Sequence, residues 1–311
     1  MPHWSILEHM FQCVLDQLPL GLRPDDEEFL GAAARSGTDL PPITLDRIRS
    51  FAATPQGPGA LLIRGLPTGE LPATPATPTS PTAKDRSSEF VLSAIAQQLG
   101  EVVGYAPEHG GAVIQNLVPV AAQATRQTST SSGVDLAFHT ETAFHPYRPS
   151  HLVLLCLRGD PSASTTVCSV EDLVTGLTDD TRHVLCQPRF RCGVDESFGG
   201  RPDQLGRPGS ILWGDPDDLR LWFDEQLMVG TDDQAAEALE ELTTLMAARR
   251  REIVLEAGDC LIIDNERAVH GRSAFSARYD GTDRWLQRAF VVASLEPSMT
   301  ERHGRIITTR W

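Results

Sequence analysis

The feature that most narrows the fold is a series of short apolar runs of strand length, spread through both halves of the chain. They are Gly59–Gly65, Val113–Val118, His151–Arg158, Ser210–Trp213, Leu219–Asp224, a run opening at Ile253, Asp259–Asp264 and Arg284–Ser294. Runs of about four to eight residues rich in Val, Ile and Leu between Gly, Pro and Asp read as strands. Helical spacing is confined to fewer places. Over residues 4–17, Trp4, Ile6, Leu7, Met10, Phe11, Val14 and Leu15 share one side and are expected to pack on the main body, with His3 and His9 at the surface. Ser87–Gly100 repeats Phe90, Val91, Ala94, Ile95 and Leu99, a short helix is expected at 170–177, and 232–249 is capped by Thr231 or Asp232 and ends in arginines that suit the helix dipole. A doubly wound fold needs strands and helices in regular alternation, which this chain lacks. The pattern predicts a mainly β protein with flanking helices, a sandwich or barrel.

At this length an all-β or barrel fold often runs as one unit. We expect a single domain over 1–311, with a helical and strand flank at 1–110 and the core at 111–296. Residues 67–84 carry too much proline and threonine for a helix or inner strand and read as an exposed loop. The polar segment 121–134 lies just before the richest motif of the chain and reads either as a lid or as an idle surface loop. Twenty-seven basic against 42 acidic residues give a formal charge of −15, which repels phosphate backbones and anionic lipid, so neither nucleic acid nor membrane is an expected partner. Six cysteines without a C-x-x-C pair suit a reducing compartment, and no apolar run nears the ~20 residues of a membrane span. The N-terminus shows no basic and apolar leader, so the expected location is cytoplasmic.

That motif is Phe138-His139-Thr140-Glu141. On an extended strand His139 and Glu141 point the same way, with Cα atoms roughly 6.6 Å apart, and can serve one ion. A second histidine would complete the two-His, one-carboxylate set of non-haem Fe(II) oxygenases, which leaves one face of the metal open. His270, in Ala268-Val-His-Gly-Arg272, is the candidate. A chance His-x-acid is expected about once in such a composition, so a structural role for the motif is the competing reading. Farther on, Arg284 and Arg288 fall on one face of a strand, roughly 13 Å apart at Cα, and could hold two carboxylates; surface ion pairing is the plainer alternative. His145 and His151 read as structural, and His109 and His183 show no partners in the sequence.

Two blocks, Phe138–Pro149 with Leu152–Asp160 and Asp264–Arg272 with Arg278–Arg288, resemble the clavaminate synthase-like family of Fe(II)/2-oxoglutarate oxygenases. The likeness covers most of 113–294. It implies a double-stranded β-helix, or jelly roll, with Fe(II) on His139, Glu141 and His270, and 2-oxoglutarate and O2 as co-substrates. It further implies that Arg284 pairs with the distal carboxylate of 2-oxoglutarate, with a hydroxyl from Thr166, or from Thr165 beside it. Arg288 corresponds to the arginine that holds an amino-acid α-carboxylate, and Gln115 and a Ser/Thr of the 129–132 loop, with Ser129 the first choice, to contacts of its α-amino group. Asp224 falls where amino-acid hydroxylases of the family meet the substrate side chain, although a strand-end surface acid is the plain reading; arginine hydroxylases carry a second acid where this chain has Trp222. The implied activity is hydroxylation, at C3, of a polar or cationic L-amino acid such as arginine, asparagine or lysine, in specialised metabolism such as antibiotic biosynthesis. Two other classes fit the triad alone. A zinc hydrolase would use metal-bound water and have no need of the arginines. A non-enzymatic binding protein would hold an amino acid between the arginines and keep its affinity without His139.

Overall fold

Because β5 (His151–Arg158) is apolar at nearly every position, it can sit only where both of its faces are covered. The computed structural model places it there. It describes residues 2–311 except 55, 56, 80, 82, 202 and 203, and side chains from residue 5 onward, which leaves the expected places of His3 and Trp4 outside the described residues.

In chain order, the N-terminal flank contains α1 (Pro2–Gln17), α2 (Glu27–Gly37), α3 (Pro42–Ala53), β1 (Ala60–Ile63), α4 (Ser87–Ala96) and β2 (Glu101–Tyr105). Next come β3 (Ile114–Leu117), β4 (Leu136–His139), β5, β6 (Ser164–Ser169), α5 (Val170–Val174) and α6 (Asp179–Leu185). Then follow β7 (Phe190–Cys192), β8 (Leu212–Asp215), β9 (Asp218–Leu221), β10 (Met228–Gly230) and α7 (Asp233–Arg249). The chain closes with β11 (Arg251–Val254), β12 (Cys260–Asp264), β13 (Ala268–Arg272), β14 (Trp285–Val292), β15 (Arg302–His303) and β16 (Ile306–Ile307).

Two sheets make the body. The larger runs β1-β12-β5-β14-β2-β16-β15, with β3 also paired to β14, and the smaller runs β11-β6-β13-β4. Leu152, Leu154 and Cys156 of β5, Val167 of β6, Leu261 and Ile263 of β12, and Leu286 and Phe290 of β14 meet in one apolar layer between them. The alternate residues Val153, Leu155 and Leu157, with Trp285, Ala289 and Val291, turn to the opposite face and pack under α1 to α4. A third layer joins Cys168 and Val269, on the outer face of the smaller sheet, to α5–α7. Fully burying a Leu or Phe in these layers stabilises by about 1.5–3 kcal/mol. The jelly-roll expectation holds, and period-two geometry puts Arg288 between Leu286 and Phe290 on the inner face of β14.

Several local expectations are corrected. Among the described side chains of α1, Leu7, Phe11 and Leu15 alone are buried, whereas Ile6 and Met10 face outward, because the apolar stripe is wider than the surface that covers it. The Gly59–Gly65 run forms an edge strand, β1, paired only to β12 and mostly half-buried. Leu219–Asp224 stops short as β9, paired with β8 in a hairpin, and Asp224 lies beyond it. The proline-rich 67–84 segment has no helix or strand, as expected, but it is not simply exposed. Thr74 is buried, donates its amide N–H to Gly281 O at 2.8 Å, and donates its hydroxyl to Asp283 O at 2.6 Å. Lys84 is buried too, and its ammonium meets Glu89 at 2.5 Å. Glu89 also accepts from Gln287 at 2.8 Å, so the strap is pinned behind the strand that carries Arg288. No described helix is long and apolar enough to cross a membrane.

Candidate metal centre and substrate pocket

β13 lies between β6 and β4, and its register sets His270 opposite His139. Gly271 allows this approach: a Cβ there would collide with the Leu136 carbonyl oxygen and come within 3.0 Å of the Thr166 hydroxyl. The expectation that one strand carries both early ligands is corrected. β4 ends at His139, because Thr140 turns to bond Phe223 O through its amide at 2.8 Å, and Thr142 takes a left-handed φ of 49°. Glu141 enters from this turn instead. Its amide donates to Asn265 Oδ1 at 2.6 Å, and Asn265 Nδ2 donates back to Pro149 O at 2.8 Å.

His139 Nε2 and His270 Nε2 stand 4.0 and 3.4 Å from Glu141 Oε1, and the three ligand atoms all lie within 4.8 Å of one another. Facial ligands on bonds of about 2.1 Å lie roughly 3 Å apart, so a small contraction would seat one ion. The chemistry of the donors fits a divalent metal. A carbonyl only accepts, so the 2.9 Å contact of His139 Nδ1 with Ala137 O puts the ring proton on Nδ1 and leaves the Nε2 lone pair facing Glu141. Burial, reinforced by the neighbouring His139, pushes His270 down to about 4, so it is neutral at pH 7. Burial opposes charge on Glu141, but Arg288 and the histidines outweigh it and hold the carboxyl well below its ordinary range. Neutral imidazoles and an ionised carboxylate are what such an ion requires.

The two arginines occupy separate stations, both buried. Arg288 donates from Nη1 to Glu141 Oε1 at 3.1 Å and from Nε to Gln115 Oε1 at 2.9 Å, pairs with Glu108, and lies 4.4 Å over the Phe290 ring. Burial works against its charge, yet Glu108 and Glu141 hold it above the usual arginine value. Glu108 escaped the sequence reading: it follows β2 in the loosely placed flank, within no periodic pattern. Gln115 faces Arg288 directly across the β14–β3 ladder.

Arg284, just ahead of β14, meets the hydroxyl of Thr165, Oγ1 at 3.5 Å, and burial lowers its affinity for the proton. Thr165 pairs with Arg272 and lies two residues from Val167, the partner of His270, so its side chain shares their inner face. Thr166 pairs with Gly271 and points to the other side. The structure thus brings Thr165, rather than Thr166, to Arg284.

Asp224 forms an isolated bridge with His139, and its Oδ1 accepts from the Gln226 and Leu227 amides, each at 2.9 Å. Burial holds its carboxyl above the usual range, against the pull of His139. The field of Asp195, which the sequence did not single out, reaches both Asp224 and Glu108. Trp222 donates to Ala143 O at 2.7 Å, behind the metal turn. Ser129 is half-buried in the 121–134 loop, whose next residues Thr130, Ser131 and Ser132 are buried. His145 is structural: buried, with Nε2 on Thr309 O at 3.0 Å and Nδ1 accepting from the Tyr147 amide. His151 contacts Ser150 Oγ at 3.1 Å. The reading of His183 as lacking a partner is corrected. His183 meets Gln187 at 2.8 Å, and His109, in a left-handed turn beside Glu108, is pushed down to about 4 by burial and then by Arg288.

Comparison with known proteins agrees with this arrangement. The family described as taurine catabolism dioxygenase TauD, TfdA family matches residues 210–290. The L-lysine 3-hydroxylase of Catenulispora acidiphila is 38% identical over 292 residues, which cover 91% of this chain and 82% of that protein. A crystal structure of asparagine oxygenase with Fe(II), 2S,3S-3-hydroxyasparagine and succinate superposes with a TM-score of 0.91 at 33% identity, covering 99% of this chain and 98% of that one. The non-haem iron oxygenase OrfP, solved with Fe and α-ketoglutaric acid, gives a TM-score of 0.88 at 29% identity over 98% of both chains. With its jelly roll and its His-Glu-His cluster, the chain belongs to the TauD/TfdA family and is a non-haem iron oxygenase that uses 2-oxoglutarate.

Proposed function

We propose that the protein hydroxylates C3 of an L-amino acid with a cationic side chain, with lysine the first candidate, as part of specialised metabolism. The observation that carries this reading is the buried pairing of Arg288 with Glu108 beside the metal triad. A guanidinium and a carboxylate side by side complement an α-carboxylate and an α-ammonium, and both protein charges lose each other's company only when a zwitterion replaces it. Gln115 holds the Arg288 fork in plane, and Ser129 stands in the loop that would cover the amino group. At the other end of the pocket, Asp224 is fixed through Oδ1 by two amides, and Asp195 adds a second negative field; together they favour a cation.

His139, Glu141 and His270 would hold Fe(II), and Arg284 with Thr165 would receive the distal carboxylate of 2-oxoglutarate. Fe(II), 2-oxoglutarate and O2 together supply the oxidant that inserts oxygen into an unactivated C–H bond, with release of succinate and CO2. The residues place the reactants. Arg288 and Glu108 fix the backbone of the amino acid, Asp224 sets its reach, and C3, one bond from the clamped α-carbon, is left facing the triad. The buried walls of the roll keep bulk water from this space.

Purified protein loaded with Fe(II) and 2-oxoglutarate should, under air, couple succinate formation to a one-oxygen mass gain on lysine above asparagine and arginine. Coupling to asparagine alone would refute the cationic side chain while leaving the oxygenase in place.

A further inference from the structure

Arg272 is a buried guanidinium that neither the triad nor the amino-acid clamp uses. It lies two residues beyond His270 on β13 and pairs in register with Thr165, whose hydroxyl is the one that meets Arg284. Its Nη2 donates to Ser131 Oγ at 2.8 Å and to Val134 O at 3.3 Å, and its Nη1 donates to Ser273 O at 2.8 Å. Its Nε is buried and finds no partner among the described residues. The guanidinium lies 5.0 Å from the Phe275 ring centroid. The charges acting on it are the repelling Arg284 and the exposed Asp135, whose own Oδ1 accepts from the Ala274 amide at 2.6 Å.

Two buried cations therefore repel one another on the inner face, where Thr165 pairs in register with Arg272 and meets Arg284 through its hydroxyl, with no carboxylate in ion-pair contact with either among the described residues. Such an arrangement is costly unless an anion completes it. One of the two also grips the 121–134 loop through Ser131 and Val134. That loop closes on itself through the Val120 amide to Thr130 O at 2.9 Å and the Gly133 amide to Ala124 O at 2.7 Å, so a pull on Ser131 moves it as a unit.

We infer that Arg272 is a second cationic contact for the distal carboxylate of 2-oxoglutarate and that, through Ser131, it ties co-substrate occupancy to the ordering of the 121–134 loop over the amino-acid pocket. An incoming carboxylate relieves the repulsion between the two guanidiniums and supplies the partner that Arg272 Nε lacks. The guanidinium then stays fixed against Ser131. Coupling of this kind is reciprocal, so the amino acid must tighten 2-oxoglutarate by the same factor. The inference rests on the reading of Arg284 as the partner of 2-oxoglutarate.

The test uses the full chain with Fe(II) under nitrogen. 2-Oxoglutarate affinity is read by titration calorimetry, and loop order by the rate at which trypsin cuts after the exposed Arg126, identified by fragment mass. In the unaltered protein 2-oxoglutarate should bind and slow the cut severalfold. Arg272→Met should weaken 2-oxoglutarate by about tenfold or more, the scale of one lost charge-assisted hydrogen bond, and make the cut insensitive to it. Ser131→Ala keeps the charge and removes the grip, so it should hold the affinity within about twofold but lose the protection. Undiminished affinity in Arg272→Met, or full protection in Ser131→Ala, overturns the inference; so does a cut in the unaltered protein that 2-oxoglutarate does not slow. If Arg272→Met does not fold, the latter two results still decide. Failure of the unaltered protein to bind 2-oxoglutarate at all would instead sink the reading of Arg284.

Discussion

Replacing Arg284 with methionine should move stability and co-substrate affinity in opposite directions. Arg284 is 7% exposed, its hydroxyl contact with Thr165 is long at 3.5 Å, and Cys156 and Asp160 reach it through their fields, with no ion pair among the described residues. An ion buried without a partner costs several kcal/mol, of which one neutral hydrogen bond returns about 1 kcal/mol. Without ligands, a methionine of similar length removes that cost, and the protein should become about 1–2 kcal/mol more stable, a rise of a few degrees in Tm for a chain of this size. With 2-oxoglutarate the sign reverses. A buried carboxylate loses its charged partner, a change worth about 2–5 kcal/mol, so at 3 kcal/mol the KM for 2-oxoglutarate rises about 150-fold while kcat at saturation changes little. Thermal unfolding in EDTA and succinate release against 2-oxoglutarate concentration measure the two halves. A lower Tm together with an unchanged KM would mean that Arg284 is a structural ion, and the reasoning would fail.

Gly271→Ala should cost about 1–3 kcal/mol in denaturant unfolding, since its methyl meets the Leu136 carbonyl, and should loosen iron by displacing His270 from His139; unchanged stability and iron content would contradict the close approach. Asp224→Asn keeps an acceptor for the Gln226 and Leu227 amides, so the fold should persist, while kcat/KM for lysine falls about tenfold or more and that for asparagine changes less. Equal losses on both substrates would remove Asp224 from side-chain recognition. The pH dependence of the metal-free protein follows from His270 and His109, each near 4 when folded and near 6.5 when unfolded. The unfolded chain then binds more protons between these values, so stability is whole above about pH 6.5 and is lost as pH falls toward 4. Urea midpoints that stay level from pH 7 to pH 5 would refute those depressed values.

What the sequence made legible was set by local rules. β5 could be found because a strand covered on both faces must be continuously apolar, β14 because Trp285, Leu286, Ala289, Phe290, Val291 and Val292 keep a strand-length apolar run around Gln287 and Arg288, and α7 because its cap, Asp232, and its repeat agree. The pairing of His139 with His270 needed family likeness, since they stand 131 positions apart in the sequence and no local pattern carries that register. Glu141 was found for an incomplete reason: its residue type and spacing were right, but a turn held by Asn265 presents it, not the strand. The choice between Thr165 and Thr166 depends on which face of β6 looks inward, which only the ladder with β13 fixes. Glu108 and Asp195 are single acids among 42, brought to the pocket by tertiary packing. α2 and α3 went unread because their short apolar stripes are interrupted by Gly31 and by polar residues. The strap at 67–84 was mistaken for an exposed loop because composition reports the lack of secondary structure, not the burial of Thr74 and Lys84.

Iron stoichiometry under nitrogen tests the central claim most directly, that His139, Glu141 and His270 close around one ion. The account requires one tightly bound Fe(II) per chain in the unaltered protein. It requires that iron to be lost in His270→Ala while the far-UV spectrum stays native. A His270→Ala protein that still holds one equivalent of iron as tightly as before would place the metal elsewhere and contradict the account.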